Sequence, residues 1–534
     1  MDEAIKIIGQ EGKLQKILSF ILISSSFLFS VICAAYSYLT KIPNFECSEK
    51  YYNSPYFKCP YKNEEICSYS FPYYYRKDYL TSVHNWAYTF DLYCDKEYYN
   101  ALIGSSYFFG CIIGSIILTP LPDKFGRKNI LNFTTIINCL IMYIILICTN
   151  PTLLTLLCFI NGFISAIYGM FGVIMSEYLS SNYRTYVMTL ANAIYPMSGL
   201  ILAFFFMTIN NWKIYFTFIA ILHTFSTYLC LKYFVESPRW LLIKNKYDEC
   251  IQTLTKISKI NKTEKNWEEY LKNNHNNIFN LKNATSSFRR VSISKKPEHS
   301  FFQIITNPNQ KKTIFNLIIL WFGTSLCFYG IILTLNKMKG NFFTLSILAF
   351  LGEMISELLS GFMSNIYGRI FIMKYGGFIG TISFILFKLF SEYIKPLLIF
   401  ISMFGFSAAF NIVYIYTPEI LPISIRASIC QILFLISRFA PLLIPALSHI
   451  IGDNVDFIFI IIGFSYSFSC FFLKETLNMK SVDDVQDSNE KINDSVAEKI
   501  NDDSFSFSYD ELSVFSDSNN NIELSFDMSY SRLK

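Results

Sequence analysis

Short polar motifs recur once in this chain, at a nearly fixed offset, and each sits directly at the end of a long apolar run. PDKFGRKN, around Gly126 and Arg127, returns 242 residues later as SNIYGRI around Gly368 and Arg369. SEYLSSNYR, with Glu177 and Arg184, returns after the same 242 residues as TPEILPISIR, with Glu419 and Arg426. ESPRWL, with Glu236 and Arg239, has a weaker echo after 239 residues in KETLNM at Glu475. A chain that repeats its loop chemistry at about half its length reads as two copies of one unit. In membranes, duplicated halves place a binding site between them.

The apolar runs set the class. Hydrophobic residues make up 52% of the 534 and charged ones 16%, where a soluble domain averages about 25% charged. A spanning helix needs roughly 20 mainly apolar residues. Twelve runs qualify: 17–39, 99–121, 130–149, 152–178, 186–209, 213–233, 312–335, 341–366, 371–391, 396–418, 427–451 and 456–474. The expectation is an all-α, polytopic membrane protein of two pseudo-symmetric six-helix bundles. These are 17–234 and 312–475, with a cytoplasmic N-terminus at 1–16. Met1 to Lys16 is polar and the first run is long enough to span, so no cleavable signal peptide is expected.

Orientation follows from the Lys/Arg bias of short loops. Lys124, Arg127, Lys128 and Arg184 sit in two loops on one side, while the turn at Asn150-Pro151 has no basic residue. The basic loops, and with twelve spans both termini, are expected in the cytoplasm, at the plasma membrane. The linker 235–311 agrees: counted through Lys312 it holds fifteen Lys/Arg against seven Asp/Glu. From Trp240 to Ile260 it is amphipathic, as for a helix on a membrane surface. The net charge of +5 is thus a topology signal, and no nucleic-acid partner is expected.

The loop 40–98 is the one long external segment. It carries Cys47, Cys59, Cys67 and Cys94, which in an oxidising compartment predict two disulfides with three possible pairings. Asn261 and Asn283 match a glycosylation acceptor but fall on the cytoplasmic side. The tail 476–534 is acidic and rich in Ser, Asp and Asn, and is expected to be disordered.

Ionisable groups inside the spans are few. Glu353 and Glu357 lie in span 8, Arg438 and His449 in span 11, and His223 in span 6. A charge at mid-bilayer costs on the order of 3 kcal/mol, so it faces a partner or a water-filled cavity. At about 1.5 Å per residue, Arg438 lies roughly 18 Å beyond Arg426, and Glu353 and Glu357 roughly 22 and 16 Å before Gly368. All three reach the midplane, and the two glutamates share one helix face. One arrangement is an ion pair that only holds the second half together; the other is a lined cavity that binds charged groups of a solute. The histidines read as packing residues.

The loop motifs have their own physics. Gly126 and Gly368 permit tight turns. Asp123, Arg127, Glu177, Arg184, Glu236, Arg239, Arg369, Glu419, Arg426 and Glu475 can pair at the helix ends and gate the cytoplasmic side.

These motifs resemble the major facilitator superfamily. More narrowly, the chain is similar to its organic cation, carnitine and organic anion transporter family. NWAYTFDLYCDKEYY at 85–99 resembles the end of that family's external loop, WFGTSLCFYGI at 321–331 its span 7 signature, and YIYTPEILPISIR its span 10 to 11 boundary. The resemblance covers roughly 15–478. It implies that charges in spans 8 and 11 sort substrates. Glu353 matches a Glu of cation and carnitine members, and Arg438 an Arg of anion and carnitine members. Glu357 falls where anion members often have Lys. It further implies that Trp321, Phe328 and Tyr329 line the site. The chain departs in having four external cysteines where many members have six, and Ile370 after Arg369.

Together these give an alternating-access transporter of small organic ions, with zwitterionic or mixed-charge, carnitine-like solutes first. Organic anions or organic cations are the alternative, and a sugar porter is a weaker one. A coupling ion (sodium or proton) or a counter-substrate remains open as a further partner, beside the lipid bilayer. A non-transporting sensor or receptor is the reading from another class. Paired metal ligands, a nucleophile elbow and a phosphate loop are missing, so no enzyme, cofactor or metal is expected.

Overall fold

The fold is given by a computed structural model that describes residues 7–9, 12–49, 57–58, 66–67, 73–78, 82–167, 177–179, 181–273, 308–421 and 423–477. They belong to one compact unit, Met1–Met479; the tail expected from 476 falls outside them beyond 477. The membrane helices are α1 (Lys13–Leu39), α2 (Tyr98–Ile117), α3 (Arg127–Ile147), α4 (Pro151–Ser165), α5 (Ser181–Thr208) and α6 (Trp212–Tyr233). The second half supplies α7 (Pro308–Thr334), α8 (Phe342–Tyr367), α9 (Arg369–Leu389), α10 (Lys395–Ile420), α11 (Ile423–Ile450) and α12 (Val455–Ser469). Among the described residues, eleven helices are long and apolar enough to cross a membrane, and Pro151–Ser165 is a shorter apolar one. The rest of the fourth expected run, 168–176, lies outside the description.

Local chemistry sets the helix starts. Asn150, Asn211 and Asn341 each cap a helix by accepting a backbone N–H two residues on, the usual remedy for the unpaired first turn. Pro151 follows its cap in α4, where a missing N–H costs nothing. The helices then pack as two pseudo-equivalent sets, α2 on α4 and α1 on α5 and α6 in the first, α8 on α10 and α7 on α11 and α12 in the second. The sets meet through α2 against α11 and α5 against α8.

The ends of the bundle differ. One, the sheet end, carries an antiparallel sheet of β1 (Phe45–Glu49), β2 (Phe57–Lys58) and β3 (Tyr73–Lys77) in the order β2-β1-β3. A disulfide joins Cys67 to Cys94 with Cα atoms 5.2 Å apart. Cys47 is disulfide-bonded too, and Cys59 is outside the described residues. The other, the motif end, carries the repeated polar motifs and the helices Pro238–Ile243 and Tyr247–Asn261. The apolar stripe of Tyr247–Asn261, Cys250 with Leu254 and Ile257, is buried against Pro238–Ile243 and α1. Its amphipathicity serves protein packing rather than the membrane surface. Asn261 points inward: it accepts from Leu14 N at 2.8 Å and donates to Ile8 O at 2.9 Å.

The halves touch through the sheet-end portions of their helices. Ser105 donates to the carbonyl of Leu442 at 2.9 Å and Asn336 to Thr40 at 3.1 Å. Tyr38 meets Phe342 edge-on at 4.6 Å. A Cβ on Gly104 would lie 2.8 Å from Pro445, and one on Gly199 2.4 Å from Phe350, so these crossings require glycine.

Lys41 sits 4.1 Å over the Phe342 ring in this closure. Burial pulls its ammonium down from the ordinary lysine range to about 8, outweighing the attraction of the ring face for the charged form. Separation of the halves restores water and a pKa of about 10.4. The closed arrangement therefore has the lowered pKa: protonation opposes closure in full below pH about 8, and the opposition fades as pH rises from there toward about 10.4. Spin labels at Asp95→Cys and Tyr393→Cys should report a larger closed population at pH about 9 than at about 7. Lys41→Met should remove that pH dependence; an unchanged distance distribution in both proteins would contradict it.

Candidate functional site

Midway along the helices a ring of aromatic and ionisable side chains faces the space between the halves. On α8, Glu353 and Glu357 lie on one face, while the exposed Leu358, Leu359, Phe362 and Ile366 point the opposite way at about 100° per residue. The carboxylates thus turn from the lipid side. Glu353 is 1% exposed and Glu357 half-buried. Among the described residues neither forms a hydrogen bond or an ion pair, and Oε2 of each is buried without a partner.

Arg438 takes other company. Its Nη1 donates to the Tyr329 hydroxyl at 2.9 Å, and its guanidinium lies 4.6 Å from the Phe434 ring centre and 5.9 Å from that of Tyr329. The expected alternative of an Arg438–glutamate ion pair is not what the side chains form. Gln431, seven residues before Arg438 on the same face, is exposed. Tyr414 is 38% exposed, and its ring meets those of Trp321, Phe410 and Phe434.

The six expected lining residues are brought into one neighbourhood, with different duties. Tyr329 holds Arg438 and meets Phe108 of the first half at 5.5 Å. Phe328 stacks on Phe410 at 5.0 Å. Trp321 is 2% exposed, its indole N–H donating to Thr417 at 2.9 Å, and acts as the packing base beneath Tyr414. Sequence reasoning missed Tyr414, Phe434 and Phe410, and from the first half Cys33, Tyr195 and Phe108. Tyr195 donates to the Cys33 sulfur at 3.3 Å, and Cys33 is within electrostatic range of both Arg438 and Glu353. The placement of Phe434 one turn before Arg438 was the available signal. His223 is buried beside Asn138 at 3.5 Å and His449 is exposed near the sheet end; neither joins the ring.

At the motif end the repeated charges assemble twice. Arg127 holds Glu177 through two nitrogens, at 2.8 and 3.1 Å, and Asp123 at 2.8 Å. Arg369 repeats the pairing with Glu419 at 3.3 Å. Glu236 accepts the backbone N–H of Arg127 at 2.8 Å, and Glu475 that of Arg369 at 2.8 Å, so each carboxylate caps a helix that has no side-chain cap of its own. Burial alone would raise the Glu475 carboxyl, but backbone N–H groups of Arg369, Leu477, Ile370 and Thr476 outweigh it and hold it below the usual range. Gly126 and Gly368 have φ of +97° and +101°, a region that favours glycine. A Cβ would meet Glu236 Oε2 at 2.4 Å and Glu475 Oε2 at 2.6 Å. These pairs lock helices within a half rather than one half to the other. Arg239 is half-buried, and the side chains of Arg184 and Arg426 fall outside the description.

Two bundles built from a duplicated unit, facing each other across a charged and aromatic midplane, define a polytopic helical membrane protein of the two-bundle class. The family model described as Major Facilitator Superfamily matches residues 80–445. The chain belongs to that superfamily. It is 27% identical over 364 residues to Solute carrier family 22 member 21 of Mus musculus, and 25% over 364 to Organic cation/carnitine transporter 2 of Homo sapiens. Each match covers 66% of this chain and 62% of the relative, less than two thirds of its length. Organic cation transporter-like protein of Drosophila melanogaster is 22% identical over 493 residues, covering 84% of this chain and 85% of the relative. In fold the chain is similar to the xylose transporter XylE from E. coli in an inward open conformation, with a TM-score of 0.60 at 12% identity, covering 88% of this chain and 98% of that one.

Glu236→Ala should cost about 1–2 kcal/mol, the worth of a charged acceptor on a helix start, and Gly126→Ala should lower stability as well. Thermal unfolding of the purified protein in detergent reads both. Midpoints equal to wild type would show that the cap does not hold α3.

Proposed function

We propose that this chain carries small organic ions across the plasma membrane by alternating access, with the motif end and both termini in the cytoplasm. Zwitterionic or mixed-charge, carnitine-like solutes are the first choice. The observation that carries the proposal is the separation of charge at the midplane: among the described residues Arg438 has no carboxylate partner, and Glu353 and Glu357 have no cationic one. A solute with a carboxylate and an ammonium supplies both missing partners at once. Its carboxylate would take the guanidinium donors that Tyr329 leaves free, since that fork binds a carboxylate through two hydrogen bonds. Its ammonium would face Glu353, with Phe328, Tyr329 and Tyr414 offering ring faces. The printed names of the relatives, among them an organic cation/carnitine transporter, support the same class. Neutral hydrogen-bonding groups of the kind a sugar requires do not dominate this ring.

Alternating access fits the division of contacts. Each half is braced by its own charged ring at the motif end, while the named crossings between halves cluster toward the sheet end. Rocking would exchange that closure for one at the motif end, with Arg184 and Arg426 as candidate contributors to the gate.

Uptake of carnitine, a quaternary amine and an aromatic anion in cells lacking such transport tests the assignment. Arg438→Ala should lower carnitine uptake roughly tenfold or more, the worth of one charge-assisted contact, or switch preference toward the amine, with surface labelling unchanged. Unaltered kinetics and selectivity would refute the role of Arg438.

A further inference from the structure

Where α1 and α6 run side by side at the motif end, they leave a groove of about 600 Å³ lined by Lys13, Lys16, Ile17, Phe20, Leu229 and Tyr233. The α1 members recur after three, four and seven residues, so they form one stripe of that helix. At about 100° per residue the stripe lies opposite Cys33, which is within electrostatic range of Arg438. The groove therefore faces away from the midplane ring, toward lipid. Its two ends differ in character. Lys13 and Lys16, both exposed, form the rim. Among the described residues neither takes part in an ion pair, and no acidic side chain lines the groove. Lys232 of α6 adds a third cation beside that rim: its Nζ donates to the Tyr228 hydroxyl at 3.2 Å and lies 5.3 Å from the centre of the Tyr233 ring. Deeper in, Phe20, 53% exposed, makes an apolar wall with the half-buried Ile17 and Leu229. A turn beyond, α1 and α6 close on each other through the hydroxyls of Ser24 and Ser226, 3.1 Å apart.

We propose that this groove binds one anionic phospholipid, its phosphate and headgroup on Lys13, Lys16 and Lys232 and the start of an acyl chain against Ile17, Phe20 and Leu229. Lys13 and Phe20 are about 10 Å apart along the axis of α1. Cations at one level and hydrocarbon at the other match a molecule that carries its charge at one end and its chain at the other. A soluble anion would meet the lysines and leave the apolar wall uncovered. A neutral lipid would cover the wall and leave three ammonium groups uncompensated. Lysine meets phosphate as a point charge rather than as a fork, so the site selects for negative charge more than for one headgroup. The groove falls within the roughly 300–1,000 Å³ of small-ligand sites. Anionic lipids are concentrated in the cytoplasmic leaflet, the side on which the proposed function sets the motif end. A lipid seated there spans both helices and braces the first half from outside. Binding requires no transport, so the site stands or falls apart from the solute assignment.

Native mass spectrometry of the full chain, released from neutral detergent with dioleoylphosphatidylserine or dioleoylphosphatidylcholine, tests the site without reference to orientation or solute. The wild type should retain one phosphatidylserine at concentrations where phosphatidylcholine leaves no defined adduct. Each lysine near an anionic headgroup is worth roughly fivefold in binding, so K13Q/K16Q should weaken the adduct roughly twenty-fivefold. K256Q/K259Q removes the same charge from the exposed face of Tyr247–Asn261 and should leave the adduct unchanged. Leu229→Trp keeps every lysine but fills the groove, and should displace the lipid. O-phospho-L-serine, a headgroup without chains, should not compete even in large excess. Equal retention of the two lipids, equal weakening by the two lysine pairs, undiminished binding in Leu229→Trp, or displacement by the soluble headgroup would overturn the proposal. The lipid comparison and the competition use the wild type alone, so they decide the matter even where a variant does not fold.

Discussion

Arg438 is held in the middle of α11 by a phenol and by ring faces rather than by a carboxylate, and the character of the whole midplane follows from that choice. Tyr329 takes one guanidinium nitrogen and Phe434 covers the plane from one turn away. A phenol and a ring stabilise a cation without neutralising it. The remaining donors therefore keep their appetite for an anion, and the two glutamates of α8 keep theirs for a cation. Had the acid and base closed on each other, the pair would have been satisfied in place and the midplane electrostatically mute, because a buried ion pair that is broken is costly. Aromatic side chains let the protein hold a charge at mid-membrane while leaving its field available.

That unsatisfied centre needs a frame that does not give way. Each half gets one from the same device: a glycine at positive φ, an arginine on the first residue of the next helix, and two glutamates reached from the ends of other helices. In the first half Glu177 takes the arginine side chain while Glu236 takes its backbone N–H. In the second, Glu419 and Glu475 divide the same duties. Tyr178 donates to Val235 O and Tyr416 to Lys474 O, which ties the segment just before α5 to the chain that leaves α6, and the end of α10 to the chain that leaves α12. Charge, cap and tyrosine together lock the motif end of a half as a unit.

The loop motifs made the duplication and the helical class legible, because each rests on a residue type with one dominant use: glycine for the turn, arginine for the fork, glutamate for the cap. Even the degenerate echo at Glu475 holds, since the cap needs a carboxylate and little else around it. Depth along the helices was legible as well, being only a count of residues from Gly368 and Arg426. What stayed hidden was the choice of partner. Nothing local says that Arg438 prefers Tyr329 to Glu353, that Trp321 spends its N–H on Thr417, or that Tyr414 and Phe410 come from α10 to complete the ring. Those are decided by helix rotation and by contacts a hundred residues apart. The helix Tyr247–Asn261 was misjudged for the same reason: an amphipathic stripe reports that an apolar surface exists, not whether lipid or protein covers it.

The contrast between the two kinds of contact at the ends of the bundle carries a mechanical consequence. At the motif end, the ties within a half are charged, multiply hydrogen-bonded and anchored on backbone. At the sheet end, the crossings between halves are ring edges, single hydroxyl bonds and glycines against Pro445 and Phe350. Contacts of the second kind are many and individually slight, and exposing them to water is opposed mainly by burial of apolar area. Contacts of the first kind resist separation sharply, because parting them strands a charge. A load that tilts one bundle against the other therefore opens the sheet end before it distorts either charged ring. On the alternating-access reading proposed above the halves move as bodies, and the aromatic belt around Arg438, anchored in α7, α10 and α11 but touching the first half through Phe108, is where a midplane solute would feel that motion.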